Sequence, residues 1–489
     1  MSRRAGLPTR LIGAWLIACI GWNAAACADE VLSTDVVLNL VTNSNVTLSS
    51  DGRRVAWQVT RPPEAAQSQR NVVHEVWSAA VDAPAKRVLE AGGGAYRPSW
   101  SPDGKQLAWL QGTEPSGTVQ LRVKTLANGE VRTLTDAPGG VAAFEWSPQG
   151  DRIAYTAWDG ISAEQQREHS EGRDWIVFDE PGRQLRLYVT DLATAKSVLV
   201  TRAELSVHYF SWSPRGDQLV IAAAPSASAD DEMLRTRPYV VAAVGSVPRL
   251  LADHFGRLAF PTWSADGTWI AWLASLDVSD AYNGNVFAVP ASGGAAPKNL
   301  TEGFEGTATW LGAWPGHGAT FVFRSVEGQV TNLRSVDPSG KVTLVNEPGA
   351  VLSGVPSFTA DGRRFATTAN TPSHPDEVVL GRTERNARLR RLTDSNLQLN
   401  SVRLGAQEVT RWRSKDGLPI EGVLIRPVGY QPGGRYPVVV HVHGGSESVV
   451  ENGWRGSYRD WGQLLAARGY LVIYPNYRGS LGRGAAFVS

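Results

Sequence analysis

One short pattern occurs seven times in this chain, and it constrains the fold more than any other feature of the sequence. In each copy a large apolar residue lies four positions before a glycine, and an apolar pair begins three positions after it, as in W-S-P-D-G-K-Q-L-A-W from Trp100. Successive glycines are 52, 46, 66, 51, 51 and 44 residues apart, and they are Gly52, Gly104, Gly150, Gly216, Gly267, Gly318 and Gly362. Repeats of this length fold as arrays, because one unit alone cannot bury its apolar face.

Each copy predicts a β-hairpin, since a D-G type turn separates two apolar strands. A second strand pair follows the hairpin, as in the segments from Leu121 and Asn285. Four short strands in about 45 to 50 residues make one blade of a β-propeller. The sequence therefore predicts a mainly β fold, with a seven-bladed propeller from about Asn43 to Asp394 inside a domain of residues 29–395. An N-terminal strand before Leu48 is expected to help close the ring.

The recurring aromatic and acidic residues of the repeat have structural explanations. Tryptophans at one blade position are expected to pack between blades rather than to form a binding cage; they are Trp100, Trp146, Trp212, Trp263 and Trp314. The aspartates of the D-G pairs belong to turns, and no D-x-D-x-D-G calcium loop occurs. We therefore expect no metal site and no cofactor.

The third repeat carries an insertion of charged residues from Asp159 to Arg183. Loops inserted in a repeat lie on one face of the array. In one interpretation Glu171, Asp179 and Glu180 reach toward the amine of a substrate. In the alternative they belong to a solvated loop, which is the usual state of a charge run.

Residues 1–28 have the pattern of a secretory signal peptide. Basic residues precede an apolar stretch from Leu11 to Trp22, which is too short to span a bilayer, and a small-residue site ends at Ala28. The protein is therefore expected to be exported, to the periplasm or outside the cell. Lipoprotein anchoring at Cys27 is the alternative, although the lipobox is incomplete. Both cysteines, Cys19 and Cys27, lie in this segment, so the mature chain is expected to lack disulfides and thiolate sites.

The charge balance excludes one class of partner. With 48 basic and 47 acidic residues the formal net charge is +1, which offers no electrostatic basis for binding nucleic acid. The sequence shows no transmembrane segment, and it does not indicate an oligomeric state.

A second domain, residues 396–489, follows the repeats. Strands over Gln407–Ser414 and Ile420–Arg426 lead to a β-branched run, Val438–Val442, that is typical of a strand buried on both faces. A helix over about Tyr458–Arg468 closed by Gly469, and a strand over Tyr470–Tyr474, complete a predicted βαβ unit of a parallel sheet.

The motifs of this second domain resemble those of the prolyl oligopeptidase family of serine peptidases, which includes acylaminoacyl peptidases and dipeptidyl peptidase IV-type enzymes. H-G-G follows the valine strand, and G-Y-x-V-x-x-x-N-x-R-G-S-x-G-x-G runs from Gly469 to Gly484. The resemblance covers nearly the whole chain, since the family also has a W-S-P-D-G propeller. It implies that an α/β-hydrolase domain follows the propeller and that this chain contains its N-terminal part.

The resemblance also implies a mechanism and a substrate. In that mechanism a Ser attacks a peptide carbonyl, a His takes its proton and an Asp orients the His. Donors at His443, Gly444 and Gly445 would help to hold the oxyanion. For His443 the backbone is the preferred donor, and a role for its ring is the alternative. The propeller would cover the active site and admit only short peptides.

The chain departs from the family at the nucleophile. It has no G-x-S-x-G elbow, and the only histidines of the second domain are His441 and His443. The catalytic Ser, Asp and His are expected beyond Ser489, within roughly one further hydrolase domain of about two hundred residues. The chain as given is therefore predicted to be inactive. His441 is expected to satisfy a buried hydrogen bond, and Arg478 to anchor its loop.

Two other functions remain open at this point. In the first, the chain is a non-catalytic propeller that binds a peptide or an envelope protein. In the second it is a propeller lyase or glycosidase, which would need paired carboxylates or histidines in the central channel that the sequence cannot locate. The sequence does not distinguish dipeptidyl, acylaminoacyl and endo-oligopeptidase activities.

Overall fold

The computed structural model describes residues 30–63, 72–113, 117–173, 182–201, 204–254, 256–276, 284–346, 349–384, 387–445 and 447–488. The predicted signal peptide with Cys27, and the candidate residues Asp179 and Glu180, lie outside the described residues. Within the described ranges, no helix combines the length and the apolar character needed to cross a membrane.

Seven sheets, each antiparallel, follow one another along the described chain as the blades of a propeller, which confirms the predicted fold class. Their strands are Thr42–Leu48, Arg54–Arg61, Val73–Ala80 and Ala83–Ala91 in blade 1; Tyr96–Trp100, Gln106–Thr113, Thr118–Thr125 and Val131–Thr133 in blade 2; Val141–Trp146, Arg152–Trp158, Leu185–Asp191 and Ser197–Leu199 in blade 3; Ser206–Trp212, Gln218–Ala224, Arg237–Ala242 and Arg249–Leu250 in blade 4; Leu258–Trp263, Trp269–Ala274, Asn285–Pro290 and Lys298–Asn299 in blade 5; Thr307–Ala313, Phe321–Glu327, Val330–Val336 and Val342–Leu344 in blade 6; and Val351–Leu352, Ser357–Phe358, Arg364–Thr371, His374–Arg382 and Arg390–Arg391 in blade 7.

In blades 1, 2, 5 and 7 a D-G pair makes the first turn of the blade by a shared local chemistry. In blade 1 the carboxylate of Asp51 accepts bonds from the Ser49 hydroxyl at 2.6 Å and the Arg53 N–H at 2.9 Å, and Gly52 follows with a φ of 68°. The chain reverses here through a residue in the left-handed conformation, which glycine adopts without a steric cost. The same bonds recur at Asp103, Asp266 and Asp361.

The tryptophans of the repeat join neighbouring blades, as predicted. Trp146 and Trp212 are buried, and each donates its indole N–H at 3.2 Å to a backbone carbonyl of the preceding blade, Ser99 and Glu145 respectively. Apolar residues from adjacent blades form shared clusters around them, such as the one that joins Leu121 to Ile153. The core is therefore a ring of layers between blades.

The ring is closed by side chains and backbone contacts between blades 1 and 7. The strand Thr42–Leu48 is the innermost strand of blade 1, and its Leu48 N–H donates to the Ser357 hydroxyl at 2.9 Å. Asn396 bonds both backbone groups of Val41, at 2.8 and 2.9 Å. The closure involves residues more than 300 positions apart in sequence.

The first strand of each blade lines the central channel. In blades 1 to 6 a β-bulge interrupts this inner strand, and in blade 7 the strand is split in two. Bulges aim side chains away from the regular pleat. Arg97 and Phe260 lie at two of the bulges and have left-handed φ angles of 53° and 51°.

The second domain is a four-stranded mixed sheet. Its strands, in sheet order, are Gln407–Arg413, Pro419–Ile425, Leu471–Asn476 and Val438–Val440, and only the last pair is parallel. The remaining elements of the chain are the strand pair Glu30–Val31 and Val402–Arg403, the helices Thr34–Leu38, Ala163–Ser170, Ala229–Leu234, Gly462–Ala467 and Ala485–Val488, and the 3₁₀ turn Leu397–Ser401.

Two details of this domain correct the sequence predictions. The helix begins at Gly462 rather than Tyr458, because the carboxylate of Asp460 is bound by Arg455 at 2.7 Å and by the Tyr474 hydroxyl, which fixes the preceding residues as a loop. The valine strand is not buried on both faces: Val438 and Val440 are 58% and 59% exposed. Within the described chain, nothing covers that side of the strand.

The second domain lies against the propeller face where the inner strands begin. The Gly482 N–H donates at 2.9 Å to the hydroxyl of Thr307, the first residue of an inner strand, and the Trp454 N–H donates at 3.0 Å to Asn370. The D-G turns lie on the opposite face. The N-terminal segment also packs on the second domain, where Leu32 and Leu464 belong to one apolar cluster.

Candidate active-site loop

The H-G-G sequence forms an exposed loop at the carboxyl end of the parallel strand pair. The strand Val438–Val440 ends three positions before His443, and Gly445 turns the loop with a φ of 77°. Gly444 and Gly445 are exposed. Among the described residues neither glycine N–H has a hydrogen-bond partner. Two free donors on a turn beside a strand end are the components of an oxyanion hole.

The ring of His443 is fixed by the N-x-R-G-S loop. Its Nε2 lies 2.9 Å from the Ser480 hydroxyl, which is fully buried. Tyr477 stacks on the imidazole, with ring centroids 4.6 Å apart, and donates its hydroxyl to the His443 carbonyl at 2.7 Å. Burial of the ring outweighs a bond to the Gly444 backbone and lowers the pKa of His443, which favours the neutral imidazole.

The loop that holds His443 is itself anchored where it leaves the strand Leu471–Asn476. Asn476 is buried and bonds both backbone groups of Val450, accepting at 2.8 Å and donating at 3.0 Å. Arg478 forms an ion pair with Asp416 in the K-D-G turn, as expected of an anchoring residue. The spacing of these residues in the motif is thus explained by their support for the H-G-G loop.

The hydrogen bond within the sheet that was expected of His441 is made by its backbone and not by its ring. Its backbone N–H bonds the Ile473 carbonyl at 2.9 Å within the sheet, but its ring Nδ1 is buried and makes no hydrogen bond among the described residues. The ring instead packs against Tyr474, with centroids 4.8 Å apart. Aromatic contact, rather than a hydrogen bond, holds this imidazole.

The charged insertion of blade 3 is only partly described. Glu171 follows the helix Ala163–Ser170, is exposed and forms an ion pair with Arg173. This contact fits the solvated-loop interpretation. Since Asp179 and Glu180 lie outside the described residues, a contact with a substrate amine stays a prediction.

Several residues near the site were missed by reasoning from the sequence. Tyr477 and Ser480 hold His443 across the sheet, and their only sequence signal is membership of the N-x-R-G-S motif. Two carboxylates of the described residues line cavities of the channel: Asp376 lies toward the second domain and Glu145 toward the D-G face. Neither belongs to a motif, because each occupies a repeat position that differs from blade to blade.

Comparison with known proteins identifies relatives that align with most of the chain. It is 24% identical over 441 residues to the uncharacterized peptidase YuxL of Bacillus subtilis, covering 80% of this chain and 63% of that protein. It is 20% identical over 493 residues to dipeptidyl-peptidase 5 of Porphyromonas gingivalis, covering 94% of this chain and 70% of that protein. The chain thus spans about two thirds of the length of these relatives. No family model matches it.

A solved structure supports the same fold. The acylaminoacyl peptidase of Pyrococcus horikoshii superposes with a TM-score of 0.71 at 20% identity, over 92% of this chain and 67% of that one. The relatives and neighbours are peptidases of the family that the motifs predicted, which confirms the resemblance.

Proposed function

We propose that this chain, whose homologues are peptidases of the prolyl oligopeptidase family, forms the propeller and the oxyanion side of an exported serine peptidase that cleaves short peptides. The observation that carries the proposal is the H-G-G loop, whose two glycine N–H groups are free among the described residues. Free donors that point to where charge develops are the main requirement for stabilising an acyl-transfer transition state.

The loop geometry favours a backbone role for His443, Gly444 and Gly445. Both nitrogens of the His443 ring face partners within the protein: Nε2 faces the Ser480 hydroxyl at 2.9 Å, and Nδ1 faces the Tyr477 hydroxyl at 3.4 Å. A ring engaged in this way positions its loop, and the backbone N–H groups remain for the oxyanion. The triad of Ser, Asp and His would come from residues after Ser489, so residues 1–489 alone would not hydrolyse peptides.

The exposed valines of the parallel strand pair support a larger hydrolase sheet. Val438, Val440 and Val442 are each 58% or 59% exposed on one side. Parallel strands with β-branched residues on both faces are normally covered on both faces by helices. Further α/β elements packed on these valines would provide both that cover and the missing triad.

Export is part of the proposal and has its own test. Residues 1–28 would direct secretion and be removed after Ala28, so that the mature protein begins at Asp29. N-terminal sequencing of the protein from the periplasm or medium should find Asp29 first. A lipid-modified Cys27 would instead show membrane anchoring, and an intact Met1 would contradict export.

The decisive experiment reads the coding DNA past the Ser489 codon and expresses the full frame beside residues 1–489. A fluorophosphonate probe, which labels activated serines, is applied to both proteins. We expect the longer protein to be labelled and to cleave short peptides, and the 489-residue chain to be unlabelled. If independently sequenced isolates all have a stop codon after Ser489, the peptidase proposal fails and the non-catalytic propeller becomes the better function.

A further inference from the structure

The channel of the propeller has a second feature, on the face away from the second domain. Glu145 is the last residue but one of the inner strand Val141–Trp146, so it lies beside the D-G turns. It lines a cavity of 420 Å³ together with aromatic residues of the following blades. We call this group the far mouth, and its members are Glu145, Tyr209, Phe260, Trp310 and Phe358.

The carboxylate of Glu145 lacks a charged partner. The one side chain that bonds it among the described residues is Ser211, whose hydroxyl lies 3.4 Å away, and within the described part of the chain it forms no ion pair. It is half-buried. Burial, which outweighs the bonds from Trp212 and Ser211, raises the pKa of Glu145 to about 7. A partly buried carboxylate without a charged partner costs stability, so its position at a channel mouth suggests a cationic ligand.

The aromatic residues around it are placed by unusual backbone. Phe260 has a φ of 51°, a strained conformation for a non-glycine residue, and its ring lies 5.2 Å from that of Tyr209. The indole of Trp310 covers Gly312, where a Cβ atom would come within 2.7 Å of the ring. The backbone conformation of Phe260 and the absence of a side chain at Gly312 thus place the rings of Phe260 and Trp310 at the cavity wall.

We propose that the far mouth is a subsite for a cationic side chain of a peptide, arginine or lysine, which pairs with Glu145 and lies against the aromatic rings. Cations bind aromatic faces, and they bind most strongly where a carboxylate is also present and water is partly excluded. The cavity volume is within the range of about 300–1,000 Å³ that is usual for small ligands. The nature of the ligand, a peptide, rests on the proposed function.

The subsite is distinct from the H-G-G loop. The second domain contacts the start of the inner strands, whereas Glu145 lies at their other end. A peptide bound at the far mouth would therefore extend along the channel toward the loop. Such a subsite would select longer peptides with a basic residue distant from the scissile bond.

The test compares two peptides that differ only in charge. Acetyl-Gly-Gly-Arg-Gly-Gly-amide and its citrulline analogue have the same shape, and their binding to the 489-residue protein is measured by calorimetry at pH 8. We expect the arginine peptide to bind about tenfold more tightly, as a charge-assisted contact requires. In Glu145→Gln the ratio should fall to about one. Asp376→Asn, at the other end of the channel, serves as the matched control and should retain the preference.

Each contrary result has a definite meaning. Equal binding of the two peptides, or binding of neither, overturns the subsite, as does loss of the preference in Asp376→Asn but not in Glu145→Gln. If methylguanidinium alone binds as tightly as the arginine peptide, the site takes a free cation and the peptide assignment falls. Failure of the peptidase proposal would appear separately, as an unlabelled full-length protein, because the binding ratio requires no catalysis.

Discussion

Replacing Glu145 by glutamine should stabilise the protein, and the gain should depend on pH. The unfolded chain ionises this carboxyl at the ordinary value of 4.5, whereas burial raises its pKa to about 7 in the folded state. Below pH 4.5 the group is neutral in both states and has no effect. As the pH rises from 4.5 through 7, the unfolded state loses its proton first, so folding becomes less favourable. Glutamine, which stays neutral, avoids this loss.

The size of the effect follows from the two pKa values. Each pKa unit corresponds to about 1.4 kcal/mol, so the ionised form would destabilise the fold by at most about 3 kcal/mol above pH 7. Because the side chain is only half-buried, solvent reduces this value, and we expect Glu145→Gln to gain about 1–2 kcal/mol at pH 8. The hydroxyl of Tyr209 does not contribute, since burial raises its pKa further above the neutral range.

The assay is thermal or urea unfolding of both proteins at pH 5 and pH 8, without ligand. Glu327→Gln is the matched control, because the pKa of Glu327 is shifted in the opposite direction to that of Glu145. Burial would raise the pKa of Glu327, but bonds from Arg334 and Ser325 outweigh it and hold the pKa below its ordinary value. Its stabilising contribution is present above the unfolded pKa and is lost as the pH falls, so this variant should be less stable at pH 8. A Glu145→Gln variant with no gain at pH 8, or with the same gain at pH 5, would refute the reasoning.

Four further outcomes test other parts of the structure. Asn476→Ala removes two buried bonds to the backbone and should cost about 2–4 kcal/mol in urea unfolding; a loss below about 1 kcal/mol would contradict the anchoring role. Gly362→Ala should lower the thermal stability more than Gly129→Ala. Both glycines have positive φ, but only at Gly362 would an added Cβ meet a backbone oxygen, at 2.1 Å. Equal thermal stabilities of the two variants would count against this clash. In the longer peptidase, His443→Phe should lower kcat by less than about tenfold if the backbone forms the oxyanion hole, and a loss of about 100-fold or more would assign the donor to the ring. Val440→Lys should change the stability of residues 1–489 by no more than about 0.5 kcal/mol but should destabilise the longer protein strongly. Equally small effects in both proteins would argue against further elements that pack on the exposed valines.

Most of the fold could be predicted from the sequence because its repeats are local and periodic. The spacing of seven glycines located every first turn, and all of them have positive φ. The tryptophans indicated packing between blades, and Trp146 and Trp212 bond the preceding blade. These features depend on a few neighbouring residues, so single copies of the pattern contain the necessary information.

The candidate site was harder to predict, since its contacts join distant segments. The bond from His443 to Ser480 crosses 37 positions, and the ion pair of Arg478 with Asp416 crosses 62. The start of the helix at Gly462 depends on a partly buried set of side-chain bonds around Asp460, which the periodicity of the sequence does not show. Glu145 was missed because the repeat was identified from the residues that its copies share, whereas Glu145 lies at a position where one copy differs from the others.

The valine strand was predicted to be buried on both faces but is exposed on one, and this difference has another cause than the missed long-range contacts. Val438–Val440 pairs as predicted with Leu471–Asn476, so the local assignment was right and only the environment differs. A run of β-branched residues indicates that a strand is stable when both of its faces are covered. Exposed valines on a parallel edge strand are therefore unfavourable. Unlike the helix boundary, this mismatch cannot be removed by a local rearrangement, because Val439 already occupies the side packed against the core. The surface exposed by these valines is therefore evidence for a contact with another element, and this is the same cover that the proposed peptidase needs to complete its catalytic domain.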